Sequence, residues 1–304
     1  MMTRNGKGAL FVLASALTFT LSVSLIKYLG KDVPPSVQAF FRQLFSLLIL
    51  APLILKNPVQ ILRTSRPWYM LSRTAATSAG IILAYTSYQH LALAEANALS
   101  FTRQLFMVPL AIMIIREQVE WQRMIATIMG FAGVVVILQP GRGGDLISVN
   151  AFYGLLAAFL TAWSVIGVKA MARDHSQMTL LAWSVVLGAL FSLPSALMVW
   201  RTPGWTELAL LVVLGVFSTI TQALYIRGMT LGDATVLAPI DYTRIIFTTG
   251  FGFFLFNEVP GWPTVVGSAI IILAAIYITI RAHRRARAAA SGTDSTESAT
   301  TLDY

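Results

Sequence analysis

Cysteine is absent from the 304 residues, which excludes disulfides, thiolate metal ligands and thiol catalysis. Charge is scarce too. Asp, Glu, Lys and Arg make up 12% of the chain, about half of the ~25% usual in a soluble domain. Histidine occurs three times: His90 ends an apolar run, and His175 and His283 lie outside any run. There is no HExxH, phosphate-binding loop or GxSxG element, and no loop is long enough to house an active site. The constellation of an enzyme is missing, and neither a metal nor a cofactor is expected. What abounds is apolar: 56% of residues, with a mean hydropathy of +0.72. Such a composition cannot give a soluble globule its polar skin. The net charge of +9 comes from basic residues spread along the chain at the ends of apolar runs, which argues against nucleic acid as a partner. The partner is the lipid bilayer, and the class is an all-α membrane protein.

A helix crossing hydrocarbon needs about 20 mostly apolar residues. Ten stretches qualify, at 8–29, 36–55, 68–90, 95–115, 121–139, 150–171, 178–200, 205–229, 234–256 and 262–281. They are roughly twice strand length and lack period-2 alternation, so a β-barrel is excluded. Arg4 and Lys7 precede the first stretch as in a signal peptide, but its apolar run is long and no small-x-small site ends it. A retained first helix is therefore expected. Residues 282–304 are polar and rich in Ser, Thr and Ala, the composition of a disordered tail. With the N-terminus in the cytoplasm, fourteen Lys and Arg face inside, among them Lys56, Arg63, Arg66, Arg173 and the Arg281–Arg287 cluster. Only Lys27, Lys31, Arg142 and Arg201 face outside. That bias places both termini, and the tail, in the cytoplasm of a multi-pass cell (inner) membrane protein. The terminal cluster reads as a stop-transfer flank beside anionic lipid.

The two halves are alike. At a shift of 141 residues Thr102-Arg103 falls on Thr243-Arg244, Glu117 on Glu258 and Trp121 on Trp262. At 142, Lys27 meets Lys169, Asp32 meets Asp174 and Pro52 meets Pro194. Two five-helix units follow, 8–139 and 150–281, and an odd number of spans makes the second enter the bilayer from the opposite side. The expected architecture is ten transmembrane helices as a 5+5 inverted repeat, the basis of alternating access in transporters.

Ala96, Pro109, Arg116-Glu117, Trp121, Gly130 and Gly133 in the first half, with Asp233-Ala234-Thr235, Pro239, Asn257-Glu258, Trp262 and Gly267 in the second, resemble the EamA-type signature of the drug/metabolite transporter superfamily. Arg42 within Phe40-Phe41-Arg42 resembles that family's Arg in the second helix. The chain departs from the pattern where Arg116 and Asn257 stand in place of Gly before each Glu, and where Ser184 stands opposite Arg42 in the second copy. The resemblance covers about residues 8–281. It implies a ten-helix carrier of small organic solutes, often an exporter of amino acids or related metabolites.

Ionisable groups inside spans are costly and therefore candidates for function. Arg103 and Arg244 correspond across the halves. Asp241 precedes Arg244 by three residues and can pair with it, either as a structural ion pair or as a cavity group sensing a substrate's ammonium and carboxylate. Tyr85, Tyr88 and Gln89 form one helical stripe, Gln222 and Tyr225 another; Ser15, Phe19 and Ser22 mark one side of the first span. Trp163 and Ser164 lie mid-span, too deep for an interfacial anchor. These thirteen residues are the expected substrate contacts in an apolar pocket with few polar groups. Arg42 and Arg73 lie near helix ends, where long side chains snorkel, and are discounted; Glu117 and Glu258 read as helix-end residues. The first span has no carboxylate and no histidine lies deep, so passive or weakly coupled export is expected. The cargo that the resemblance implies first is amino acids, including aromatic and apolar ones, with lipophilic cations as the alternative. No GxxxG dimer motif occurs and a monomer is expected.

Overall fold

The computed structural model describes residues 4–116, 121–139, 148–171, 174–231, 240–278 and 280. The expected tail at 282–304, Glu117 and the start of the ninth span lie outside them. Among the described residues there is no strand. The long helices are α1 (Arg4–Leu29), α2 (Pro35–Lys56), α3 (Pro67–His90), α4 (Leu93–Leu110), α5 (Trp121–Leu138), α6 (Val149–Met171), α7 (Gln177–Met198), α8 (Trp205–Leu231) and α9 (Arg244–Phe256). A last apolar helix, α10, covers Trp262–Ile278.

Among the described residues six helices are long and apolar enough to cross a membrane: Gly6–Leu29, Pro35–Lys56, Leu93–Ile114, Val149–Val168, Met178–Met198 and Trp205–Gly228. The chain is a multi-pass membrane protein. α3 is long enough but too polar for that set, because it buries Arg73, Thr74, Ser78 and Ser87 inside the bundle. Local chemistry sets several helix ends. Pro35 and Pro67 open α2 and α3 at the first helical position, where a missing N–H costs nothing. Ser176 caps α7 by accepting the Thr179 N–H at 3.1 Å. Pro109 removes one donor from α4, and the helix widens into a π turn at Ala111–Ile115.

Two expectations about helix ends change. The ninth span is not one continuous helix over 234–256: it turns at Tyr242–Thr243 with i→i+3 bonds such as Thr243 N–H to Ile240 at 3.0 Å, and the regular helix begins at Arg244. Backbone irregularity at membrane depth is tolerated where it faces a cavity, and this turn does. The departures at Arg116 and Asn257 are likewise resolved. Both adopt left-handed backbone, φ 57° and 55°, the conformation that makes glycine the common choice; Asn tolerates it well, Arg less so.

α1 packs chiefly on α8, α3 on α6, α2 on α7, and α4 on α6 and α9. α5 and α10 cross backbone to backbone: a Cβ on Gly133 would lie 2.8 Å from the Gly267 carbonyl oxygen, and one on Gly267 would lie 2.6 Å from that of Gly133. Leu93, Leu99, Leu105, Leu211, Leu214 and Ile271 fill the common core.

Candidate functional site

A cavity of ≈ 390 Å³ opens in the middle of the bundle. The walls from α1, α6 and α8 are each one helical stripe, spaced i, i+3, i+4, i+7, the period that keeps side chains on one face. α1 supplies Phe19, Ser22, Val23 and Ile26; α8 supplies Ser218, Thr221, Gln222 and Tyr225. α6 contributes a smooth stripe of small groups, Gly154, Ala157, Ala158 and Thr161, facing Gly80, Ile81, Ala84, Tyr85 and Tyr88 of α3. α4 brings Ala96, Ser100, Phe101 and Arg103, α2 brings Arg42, and the broken span brings Asp241 and Arg244.

The charges are unevenly matched. Arg244 Nε lies 2.8 Å from Asp241 Oδ1, with side-chain exposures of 15% and 10%. The contact lacks hydrogen-bond alignment, so charge alone holds the pair. The Arg244 guanidinium is also stacked over Phe19 at 4.5 Å and near Tyr225 at 5.6 Å, a cation–π box. Arg103 approaches Tyr88, Tyr225 and Asp241. Arg42 faces the Tyr85 hydroxyl. Phe19 meets Tyr88 edge-on, ring centres 6.4 Å apart. Among the described residues the cavity thus presents three guanidiniums, one carboxylate and an aromatic wall.

Of the expected contacts, Tyr85, Tyr88, Gln222, Tyr225, Phe19, Ser22, Asp241, Arg244 and Arg103 line this cavity. Four are placed elsewhere. Trp163 follows Thr161 by two residues, which turns it to the far side of α6, where it packs on the Leu110, Ala111, Ala162 and Ile166 cluster. Ser164 shares a 2.6 Å hydrogen bond with Thr77, tying α6 to α3. Ser15 lies on the α1 stripe one turn short of the cavity and donates to the Thr221 carbonyl at 3.1 Å. Gln89 fills the space under Gly30, against which a Cβ would stand 2.5 Å away.

The discounted arginines also part company. Arg42 lines the cavity. Arg73 does not snorkel: it is 4% exposed and donates to the Leu180 carbonyl at 3.1 Å and Ser184 Oγ at 2.6 Å, joining α3 to α7. Sequence reading also passed over Ser100, Phe101 and the α6 stripe. The i, i+3, i+4, i+7 run of small residues from Gly154 was the signal that could have found the last.

Beyond the deepest residues of α1 and α4, Ile26 and Ala96, one end of the bundle is tied shut. Lys27 Nζ donates to Glu258 Oε1 and to the Leu91 carbonyl. Glu258 Oε2 in turn accepts the Leu93 N–H at 2.8 Å, satisfying one free donor at the start of α4. Glu258 is therefore a helix-end residue, as its position implied.

Among the described residues no group of His, Asp and Glu could hold a metal. The family model that matches is that of the EamA-like transporter family, over residues 6–139 and 149–280. An S-adenosylmethionine uptake transporter of Rickettsia prowazekii is 34% identical over 89% of this chain and 92% of its own length. A riboflavin transporter of Brucella anthropi is 27% identical over 81% and 88%. A pseudopaline exporter of Pseudomonas aeruginosa is 23% identical over 90% and 95%. A solved crystal structure at 20% identity matches 91% of this chain and 98% of its own, with a TM-score of 0.59, a likeness of fold. The chain is a transporter, not an enzyme, and belongs to the EamA-like transporter family.

Proposed function

We propose that this protein is a carrier for S-adenosylmethionine or a close adenosyl amino acid, moving it into the cell through the central cavity. The observation that carries the reading is the cavity's mixed lining. A flat heteroaromatic ring suits Phe19, Tyr88 and Tyr225; an amino-acid end suits Asp241 with the guanidiniums beside it. The volume of ≈ 390 Å³ falls within the roughly 300–1,000 Å³ of pockets for drug-sized ligands. A free amino acid leaves much of it empty. The relative sharing 34% of its residues is named for uptake of S-adenosylmethionine. Amino-acid export, expected from the sequence, therefore gives way to this cargo and direction. Lipophilic cations fit poorly, since three guanidiniums repel a cation that brings no anion of its own.

The transport mode is alternating access between the units 8–139 and 150–281, related as an inverted repeat. Three observations support it. The packing pairs α1–α8 and α3–α6 exchange when five is added to each helix number, as do α2–α8 and α3–α7. The residues paired by the 141-residue shift, Phe101 and Tyr242, stack on each other at 4.8 Å, as side chains beside a pseudo-two-fold axis would. The two left-handed helix ends, at Arg116 and Asn257, obey the same shift. The excess of Lys and Arg on one side supports both termini lying on the cytoplasmic side of the cell (inner) membrane, and in that orientation the Lys27–Glu258 tie closes the outer end.

The test is uptake of labelled S-adenosylmethionine into proteoliposomes of the purified protein. Saturation and trans-stimulated counterflow are expected, with competition by S-adenosylhomocysteine and little by phenylalanine. Uptake that never saturates would make it a pore. Competition by amino acids or lipophilic cations alone would transfer the cavity to those solutes.

A further inference from the structure

Arg42 is, we propose, the group that selects a carboxylate on the cargo, the carrier reading above being its premise. An arginine inside the membrane is expensive and normally paired. The four intramembrane arginines of this chain are settled differently. Arg244 has Asp241 at 2.8 Å, and Arg103 lies within electrostatic range of that carboxylate. Arg73 is buried against the Leu180 carbonyl and Ser184 Oγ, a fixed tie between helices. Arg42 has no carboxylate beside it among the described residues. Its guanidinium borders the cavity and faces a neutral hydroxyl, that of Tyr85.

The halves also differ here, where a scaffold would repeat. The position corresponding to Arg42 in the second half is Ser184, which Arg73 holds outside the cavity wall. The second half thus provides the only described carboxylate of the cavity, Asp241, and the first half provides a guanidinium without one. Cargo with an amino-acid end brings into this cavity a carboxylate that Arg42 can receive. The planar fork of Arg can take that carboxylate through two parallel N–H donors. Arg42 is then a specificity-determining residue, and cargo lacking a carboxylate is discriminated against.

The experiment compares S-adenosylmethionine with decarboxylated S-adenosylmethionine, which keeps the adenosine and the sulfonium and lacks only the carboxylate. Uptake of both into proteoliposomes is measured for the wild type, Arg42→Lys and Arg42→Met. The wild type is expected to favour S-adenosylmethionine by tenfold or more in uptake efficiency. Arg42→Met loses that preference by slowing S-adenosylmethionine while leaving the decarboxylated compound within about twofold. Arg42→Lys keeps part of it, having charge without the fork. An equal loss for both compounds makes Arg42 a structural residue and overturns the assignment; so does a preference that survives Arg42→Met. Should Arg42→Met not fold, as judged by gel filtration and thermal midpoint, Arg42→Lys decides on the same ratio. A wild type that carries both compounds equally overturns Arg42 and leaves the cargo reading standing; one that carries neither overturns both.

Discussion

Breaking the Lys27–Glu258 tie should open the end of the bundle that it closes. Lys27 and Glu258 have side-chain exposures of 13% and 18%, so little water competes for them. Glu258 holds two donors at once, Lys27 Nζ on one oxygen and the Leu93 N–H on the other; the same ammonium reaches the Leu91 carbonyl. Removing one member leaves a mostly buried polar group unsatisfied, at a cost of roughly 1–3 kcal/mol. Taking about 2 kcal/mol as the loss to the closed form alone, the closed-to-open ratio falls about 30-fold. The chain's lack of cysteine makes the assay clean. A single cysteine replacing Ser22, on the cavity wall, is labelled with a membrane-impermeant maleimide added to right-side-out vesicles. Glu258→Gln and Lys27→Met are each expected to speed labelling by ten- to thirtyfold. The double variant should not double the effect, since both remove one interaction. If labelling is unchanged in both variants while the thermal midpoint falls, the tie is a fold contact and the gating argument is refuted.

Other perturbations test single contacts. Gly133→Leu puts a side chain where α5 and α10 already touch through backbone atoms; overpacking of this kind costs about 1–3 kcal/mol, read as a lower melting point in detergent. Gly250→Ala, inside α9 with nothing within 4 Å of its added Cβ, should raise the melting point slightly, since Ala favours a helix over Gly by about 1 kcal/mol. Arg73→Met removes the donor that ties α3 to Ser184 Oγ and to the Leu180 carbonyl, which keeps the Ser184 hydroxyl as a donor, and is expected to destabilise the protein by about 2 kcal/mol while leaving the ratio of uptake between the two adenosyl probes intact. Trp163→Ala, off the cavity wall, should change the half-saturation concentration by less than twofold, whereas Tyr88→Ala should raise it about tenfold; equal effects would mean that the wall is misassigned.

Amphipathic and apolar runs fixed the helices well, because a backbone in hydrocarbon must satisfy its own hydrogen bonds and little except an apolar helix can do so. The helix limits fall within a few residues of expectation everywhere except the ninth span, where Pro239, Asp241 and Arg244 surround the turn at Tyr242–Thr243 without themselves specifying a break in the helix. The pairing of Asp241 with Arg244 was legible, since spacing of three places both on one side of a helical turn. So were the stripes through Tyr85 and Tyr88, and through Gln222 and Tyr225.

Depth along a helix could be read from position alone; rotation about its axis could not. Trp163 and Thr161 lie 3 Å apart along α6, by the ~1.5 Å rise per residue, yet only Thr161 meets the cavity. In a chain this apolar, lipid, a neighbouring helix and a cavity wall all accept the same residue types, so hydropathy does not say which face is which. The arginines show the same limit from the polar side. Arg42 and Arg73 look alike in sequence, each a lone cation near a helix end, and only the neighbours brought by α7 and α3 turn one into a buried strut and leave the other at the cavity beside Tyr85. Composition determined that the chain lies in a membrane as helices; which charges face solvent, helix or cargo was decided by packing, because the energy of a charge depends on what stands opposite it.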